Sequence, residues 1–108
     1  MATNYARGRG LEYRARKALE AAGYCVIRAA QSKGVADLWA ASHGKELLFV
    51  SCKLGNGGCG PAERKALYTA TLKAGALGVV CWQRKPRGPM RWLVVNELNS
   101  YEPEEWQP

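Results

Sequence analysis

A lone aspartate, Asp37, opens the strand-like run Ala36–Ala41, and a lysine, Lys53, closes the next, Leu47–Lys53. Between Gly34 and Leu54 the chain is mostly apolar. Charges on otherwise buried strands are expensive and are usually kept because they bind or catalyse something. A carboxylate and an ammonium brought together by a tight turn suit a divalent metal and a phosphodiester. Carboxylate oxygens hold Mg²⁺, the ion polarises the phosphate and acidifies a bound water, and the ammonium offsets the charge that builds up. Glu12 is the remaining acid able to approach this end of the sheet. By spacing alone it is equally a solvated helix charge paired with Arg9 or Arg16.

The elements that must position these residues follow from periodicity. Leu11, Ala15, Ala18, Leu19 and Ala22 recur at helical spacing and Gly23 is a stop signal, which predicts a helix from Arg7 or Leu11 to Ala22. Strands are expected over Tyr24–Ala29, Val35–Ala41 and Glu46–Lys53, the last two joined by a hairpin turn at Ser42–Lys45. Alternate strand residues share a face, so Ser51 and Lys53 look into one pocket about 7 Å apart. Pairing across the turn sets Asp37 opposite Ser51, to within a residue or two. The glycine-rich stretch Leu54–Gly60 leads to a second helix that starts at Pro61, has Ala62, Leu67, Ala70 and Ala74 for packing, and stops at Gly75. Strands over Leu77–Trp82 and Met90–Val95 complete an α/β order αβββαββ, a mixed central sheet flanked by helices.

The 108 residues are expected to form a single domain, with a basic N-terminal segment (1–10) and an acidic, aromatic tail (96–108) that Tyr101 and Trp106 could anchor. The net charge of +7 conceals an asymmetry. All sixteen basic residues lie at or before Arg91, whereas four of the nine acids follow it. A basic body of this kind points to a polyanionic partner. No apolar run approaches the ~20 residues needed to span a bilayer, and the polar N-terminus is not a secretory signal. A cytoplasmic protein with no membrane partner is expected. The four cysteines show no Cys-x-x-Cys spacing and His43 is the single histidine, so Cys25, Cys52 and Cys81 are expected to be buried free thiols in strands, with Cys59 in the glycine-rich loop.

With these residues in view, the chain resembles the archaeal-type Holliday junction resolvases of the PD-(D/E)xK nuclease superfamily. The resemblance is carried by Ala6–Gly10, by Glu12, and by Gly23–Arg28. It continues through Ser32-Lys33-Gly34, Asp37–Ala40, and Phe49-Val50-Ser51-Cys52-Lys53, and so spans most of residues 6–95. It implies a nuclease fold and Mg²⁺-dependent hydrolysis of four-way DNA junctions, with Mn²⁺ as a substitute metal. Glu12 and Asp37 would be metal-site acids, Lys53 the catalytic lysine, and the carbonyl of Cys52 a further ligand. Ser32 would lie in a loop approaching the cleaved strand, with Arg28 supporting it.

One departure matters. The superfamily pattern is acid-x-Lys, and this chain has Ser51-Cys52-Lys53. A hydroxyl is a weaker Mg²⁺ ligand than a carboxylate. Three readings stay open: an enzyme with fewer acids that uses water held by Ser51, an acid supplied from elsewhere with Glu63 the best candidate, or a form that binds without cleaving. The two-fold symmetry of a junction suits a homodimer. Arg7, Arg9, Arg14, Arg16, Lys17, Arg28 and Lys33 are the expected phosphate contacts. No recognition-helix signature is present, so recognition by phosphates and shape is expected. The rivals are another PD-(D/E)xK repair or restriction-like nuclease and a non-catalytic junction-binding protein.

Overall fold

The computed structural model describes residues 4–29, 35–56, 59–95 and 104–108, with side chains from Arg9 onward. Helix α1 (Asn4–Ala21) presents Leu11, Ala15 and Leu19 as one fully buried stripe. Gly23, at φ 98°, takes the left-handed conformation that turns the chain into β1 (Cys25–Arg28). Strands β2 (Leu38–Ala41) and β3 (Leu48–Leu54) follow, then α2 (Pro61–Ala74), β4 (Leu77–Gln83) and β5 (Met90–Val95). A two-residue strand β6 (Glu104–Glu105) closes the order. The strands form one sheet in sequence order, antiparallel throughout except for the parallel pair β3–β4, which α2 connects. This is the expected mixed sheet flanked by helices.

Alternation along the strands divides the core in two. Leu38, Ala40, Leu48, Val50, Val79 and Cys81 pack with the α1 stripe, while Val80 and Val95 pack with Leu67 of α2 on the opposite face. Of the residues expected to pack from α2, Leu67 is buried and Ala70 half-buried, whereas Ala62 and Ala74 are exposed and Thr71 is buried instead. The reason lies in β4: a Cβ at Gly78 would stand 3.2 Å from Leu67 Cγ and 3.3 Å from Thr71 Cγ2, so glycine there lets the helix come down on these two residues. Pro61 opens α2 behind Gly60, and Gly75, at φ 67°, closes it.

Other expectations need correction. The ladder of β2 starts at Leu38 rather than Val35, and that of β3 at Leu48 rather than Glu46. Cys25 is exposed, because it lies on the sheet face away from α1, on strands that α2 does not cover; Cys52 and Cys59 are half-buried and only Cys81 is fully enclosed. All four are free thiols. The tail adds β6, which pairs with Leu93 and Val94. The Trp106 backbone N–H then donates to the Trp92 carbonyl at 2.8 Å, and its ring packs against those of Trp92 and Tyr24. Tyr101, the other expected anchor, lies outside the described residues, as do Ser32, Lys33 and the side chain of Arg7. Among the described residues no helix is long and apolar enough to cross a membrane.

Because Trp106 covers Trp92 and Tyr24, Trp106→Ala is expected to lower unfolding free energy by about 1.5–3 kcal/mol. Urea titration followed by far-UV circular dichroism measures this. An unchanged midpoint would show that the tail merely lies on the sheet.

Candidate active site

The hairpin positions Asp37 through its backbone. Leu38 pairs with Val50, so one step further sets Asp37 opposite Ser51. The Asp37 N–H donates to the Val50 carbonyl at 2.8 Å and its carbonyl accepts from Ala29 at 2.9 Å. The side chain then reaches past the end of β2, where Oδ2 accepts the backbone N–H of Cys52 at 2.7 Å. A strand residue turns its N–H and C=O to the same side, so the Cys52 carbonyl also faces this edge and not β4.

Asp37, Ser51 and Lys53 line one cavity of about 340 Å³ with Val35 and, from the first turns of α2, Ala62, Glu63 and Ala66. Lys53 forms an ion pair with Glu63 across it. Ser51 is only 4% exposed, and it lines the cavity. Glu12 stands on the other side of Asp37, bound to Arg28 at 2.8 Å. Arg9, Glu12, Tyr13, Arg16 and Arg28 line a narrower cleft of about 110 Å³ there.

The charges act on one another. Burial raises the Asp37 carboxyl above its ordinary value, the Cys52 N–H opposes this, Glu12 adds to it, Lys53 lowers it, and Glu63 raises it again. Burial works against the Lys53 ammonium, but the bond and charge of Glu63 outweigh that and raise it overall. A hydrogen bond with Cys81, together with burial, drives the Cys52 thiol far up. Cys52 is therefore a neutral thiol, and its part in the site is its backbone.

Among the described residues no three His, Cys, Asp or Glu side chains cluster as a ready-made metal cage. Mg²⁺ does not require one, because it keeps several waters and binds through one or two carboxylates. The cavity offers only oxygen among its acceptors: Asp37, Glu63 and the Ser51 hydroxyl. That donor set fits a hard divalent cation.

The basic residues divide. Arg9, Arg16 and Arg28 surround the Glu12 cleft. Arg14 turns elsewhere and donates to Gln83 Oε1 at 2.6 Å, bracing α1 against β4. Arg16 and Lys17 both reach Glu20, and Lys17 also lies over the Tyr13 ring. Glu63 was legible only as an alternative. Its signal was its place in the first turn of the helix that leaves the lysine-bearing strand.

No protein-family model matches the chain, and no curated protein matches it in sequence. Among solved structures it is similar to the 1.6 Å structure of Archaeoglobus fulgidus Hjc, a Holliday junction resolvase from an archaeal hyperthermophile. The TM-score is 0.69 at 25% identity, over 82% of this chain and 73% of the other. The chain has the Hjc fold. The mixed sheet and its two helices are those of a nuclease-like α/β domain.

The raised Asp37 carboxyl has a consequence for stability. The folded state holds the Asp37 proton more tightly than the unfolded chain does, so ionising it costs folding free energy as pH rises from 3.8, the ordinary aspartate value, through the raised one. Asp37→Asn keeps an acceptor for the Cys52 N–H and removes that cost. Its stability relative to the parent chain is expected to increase between acid and neutral pH, read by urea unfolding at a series of pH values. A constant difference would mean that the carboxyl titrates as it does in water.

Proposed function

We propose that the chain is a structure-selective endodeoxyribonuclease that resolves four-way DNA junctions as a homodimer, dependent on Mg²⁺ or Mn²⁺. The observation that carries this is the cavity joining Asp37, Ser51 and Lys53, set beside the arginine-lined cleft of Glu12, in the fold of a Holliday junction resolvase.

Each residue has a task in this reading. Arg9, Arg16 and Arg28 draw the phosphate backbone toward the cleft, and Arg28 holds the Glu12 carboxylate in place. Asp37 and the Cys52 carbonyl would hold the cation, with Glu12 behind Asp37 adding negative charge and Ser51 holding a water. When bound, that ion supplies Lewis-acid polarisation of the phosphate and a more acidic water. Lys53 places an ammonium where negative charge develops on the phosphate oxygens. Arg7, Ser32 and Lys33 would meet the strand near the cut, while Lys17 would reach a flanking phosphate. Two copies related by a two-fold axis present two such cavities to strands of like polarity. The apolar side chains of Ile27 and Trp39, which are paired neighbours 61% and 47% exposed on the face that α2 leaves uncovered, suit an interface of that kind.

A second reading is a junction-binding protein without cleavage, favoured by the neutral Ser51 where the pattern has an acid. Incubation of a labelled four-way junction with Mg²⁺ or Mn²⁺ separates the two. Paired, metal-dependent incisions are expected on the junction and not on linear duplex, and Asp37→Ala should abolish them while leaving junction affinity nearly unchanged. Binding without incision would establish the second reading. If the dimer neutralises about 6–10 phosphates, log K should fall against log[salt] with a slope near −5 to −9. A flat titration would remove the electrostatic basis of both readings.

A further inference from the structure

We propose that Glu63, delivered by the first turn of α2, is the second carboxylate of the cation site and does the work that Ser51 on β3 cannot do. This rests on the nuclease reading of the cavity, and it assigns a ligand outside the acid-x-Lys strand.

Three observations converge on it. Glu63 and Asp37 line the same cavity from opposite walls, one on the helix and one on the sheet. Ser51 lines the same cavity and is only 4% exposed, so its neutral hydroxyl can meet a ligand there but brings no charge to one. Finally, the two nearest cations are already engaged: Arg28 is paired with Glu12 and Lys53 with Glu63, and neither is bonded to Asp37.

The ordinary role for an acid in a helix's first turn is to complement the helix dipole or to close a capping box. A capping box needs a side-chain acceptor at the N-cap, and Gly60 has none. The Glu63 carboxylate is instead drawn across the cavity to Lys53. Lys53 thus holds Glu63 at the site without the cation. With a cation in the cavity, Glu63 would be a ligand to it, and the Lys53 ammonium would be free to face a phosphate.

The test is Mn²⁺ binding to the intact chain, measured by electron paramagnetic resonance of the free ion without DNA. Glu63 is half exposed, so Glu63→Gln is expected to keep the fold. Glu63→Gln should weaken Mn²⁺ binding by about tenfold or more, and Ser51→Ala by no more than about twofold. Adding Ser51→Glu to Glu63→Gln should restore much of the lost affinity, in a variant whose circular dichroism shows it to be folded. Unchanged affinity in Glu63→Gln, with Asp37→Asn abolishing binding, overturns the role of Glu63 and leaves the nuclease reading standing. No Mn²⁺ binding by the parent chain, or binding indifferent to Asp37→Asn, overturns both.

Discussion

The hydrogen bond from the Cys52 N–H to the Asp37 carboxylate is the constraint on which the rest of the site depends. It forms where β2 has ended and β3 continues, so a side chain replaces a strand as the partner of β3. A carboxylate accepting a backbone N–H is held more firmly than one left to water. The same bond fixes which way the edge of β3 faces, and thereby turns the Cys52 carbonyl toward Asp37. One short contact orients an acid, a carbonyl and, through alternation along β3, Ser51 and Lys53 toward the same end of the sheet.

Holding Asp37 there opposes folding. Burial alone disfavours its charge, and Glu12 and Glu63 add to that. A chain selected only for stability would place an apolar residue at this position, because a buried charge without full compensation is costly. The cationic neighbours offset part of the cost by separate routes. Arg28 answers Glu12, and Lys53 answers Glu63. Neither is bonded to Asp37 itself. The aspartate is thus left as the acid whose charge the protein does not itself neutralise, the condition expected of a group meant for an external cation.

Much of this was legible in the sequence, for reasons that differ from residue to residue. The turn at Ser42–Lys45 placed Asp37 opposite the Ser51 neighbourhood to within a residue or two; the observed register, with Leu38 on Val50, is the one that buries both of those side chains on the α1 face. The bounds of α2 followed from Pro61 and Gly75, whose backbone preferences act locally. The packing face of α2 followed at Leu67 but not at Thr71, because it is decided by Gly78 on a strand that the helix meets only in the tertiary structure. The sixth strand was missed because two glutamates carry no strand signal, and their pairing depends on Trp106 docking on Trp92. Arg14 was read as a phosphate contact from its charge, yet Gln83, 69 positions away, accepts its guanidinium.

Topology explains why an acid can enter this site from α2. A parallel pair such as β3–β4 cannot be joined by a tight turn, so the chain must leave the end of β3 and return along a crossover element to the start of β4. The first turn of that element therefore begins beside the end of β3 at which Lys53 stands. Any acid in that turn lies within a few residues' reach of the lysine, whatever occupies position 51. Open α/β sheets place ligands beyond the carboxyl ends of their strands for the same reason. The function of position 51 is consequently not tied to its strand: the parallel crossover supplies a second backbone from which a carboxylate can reach the same cavity.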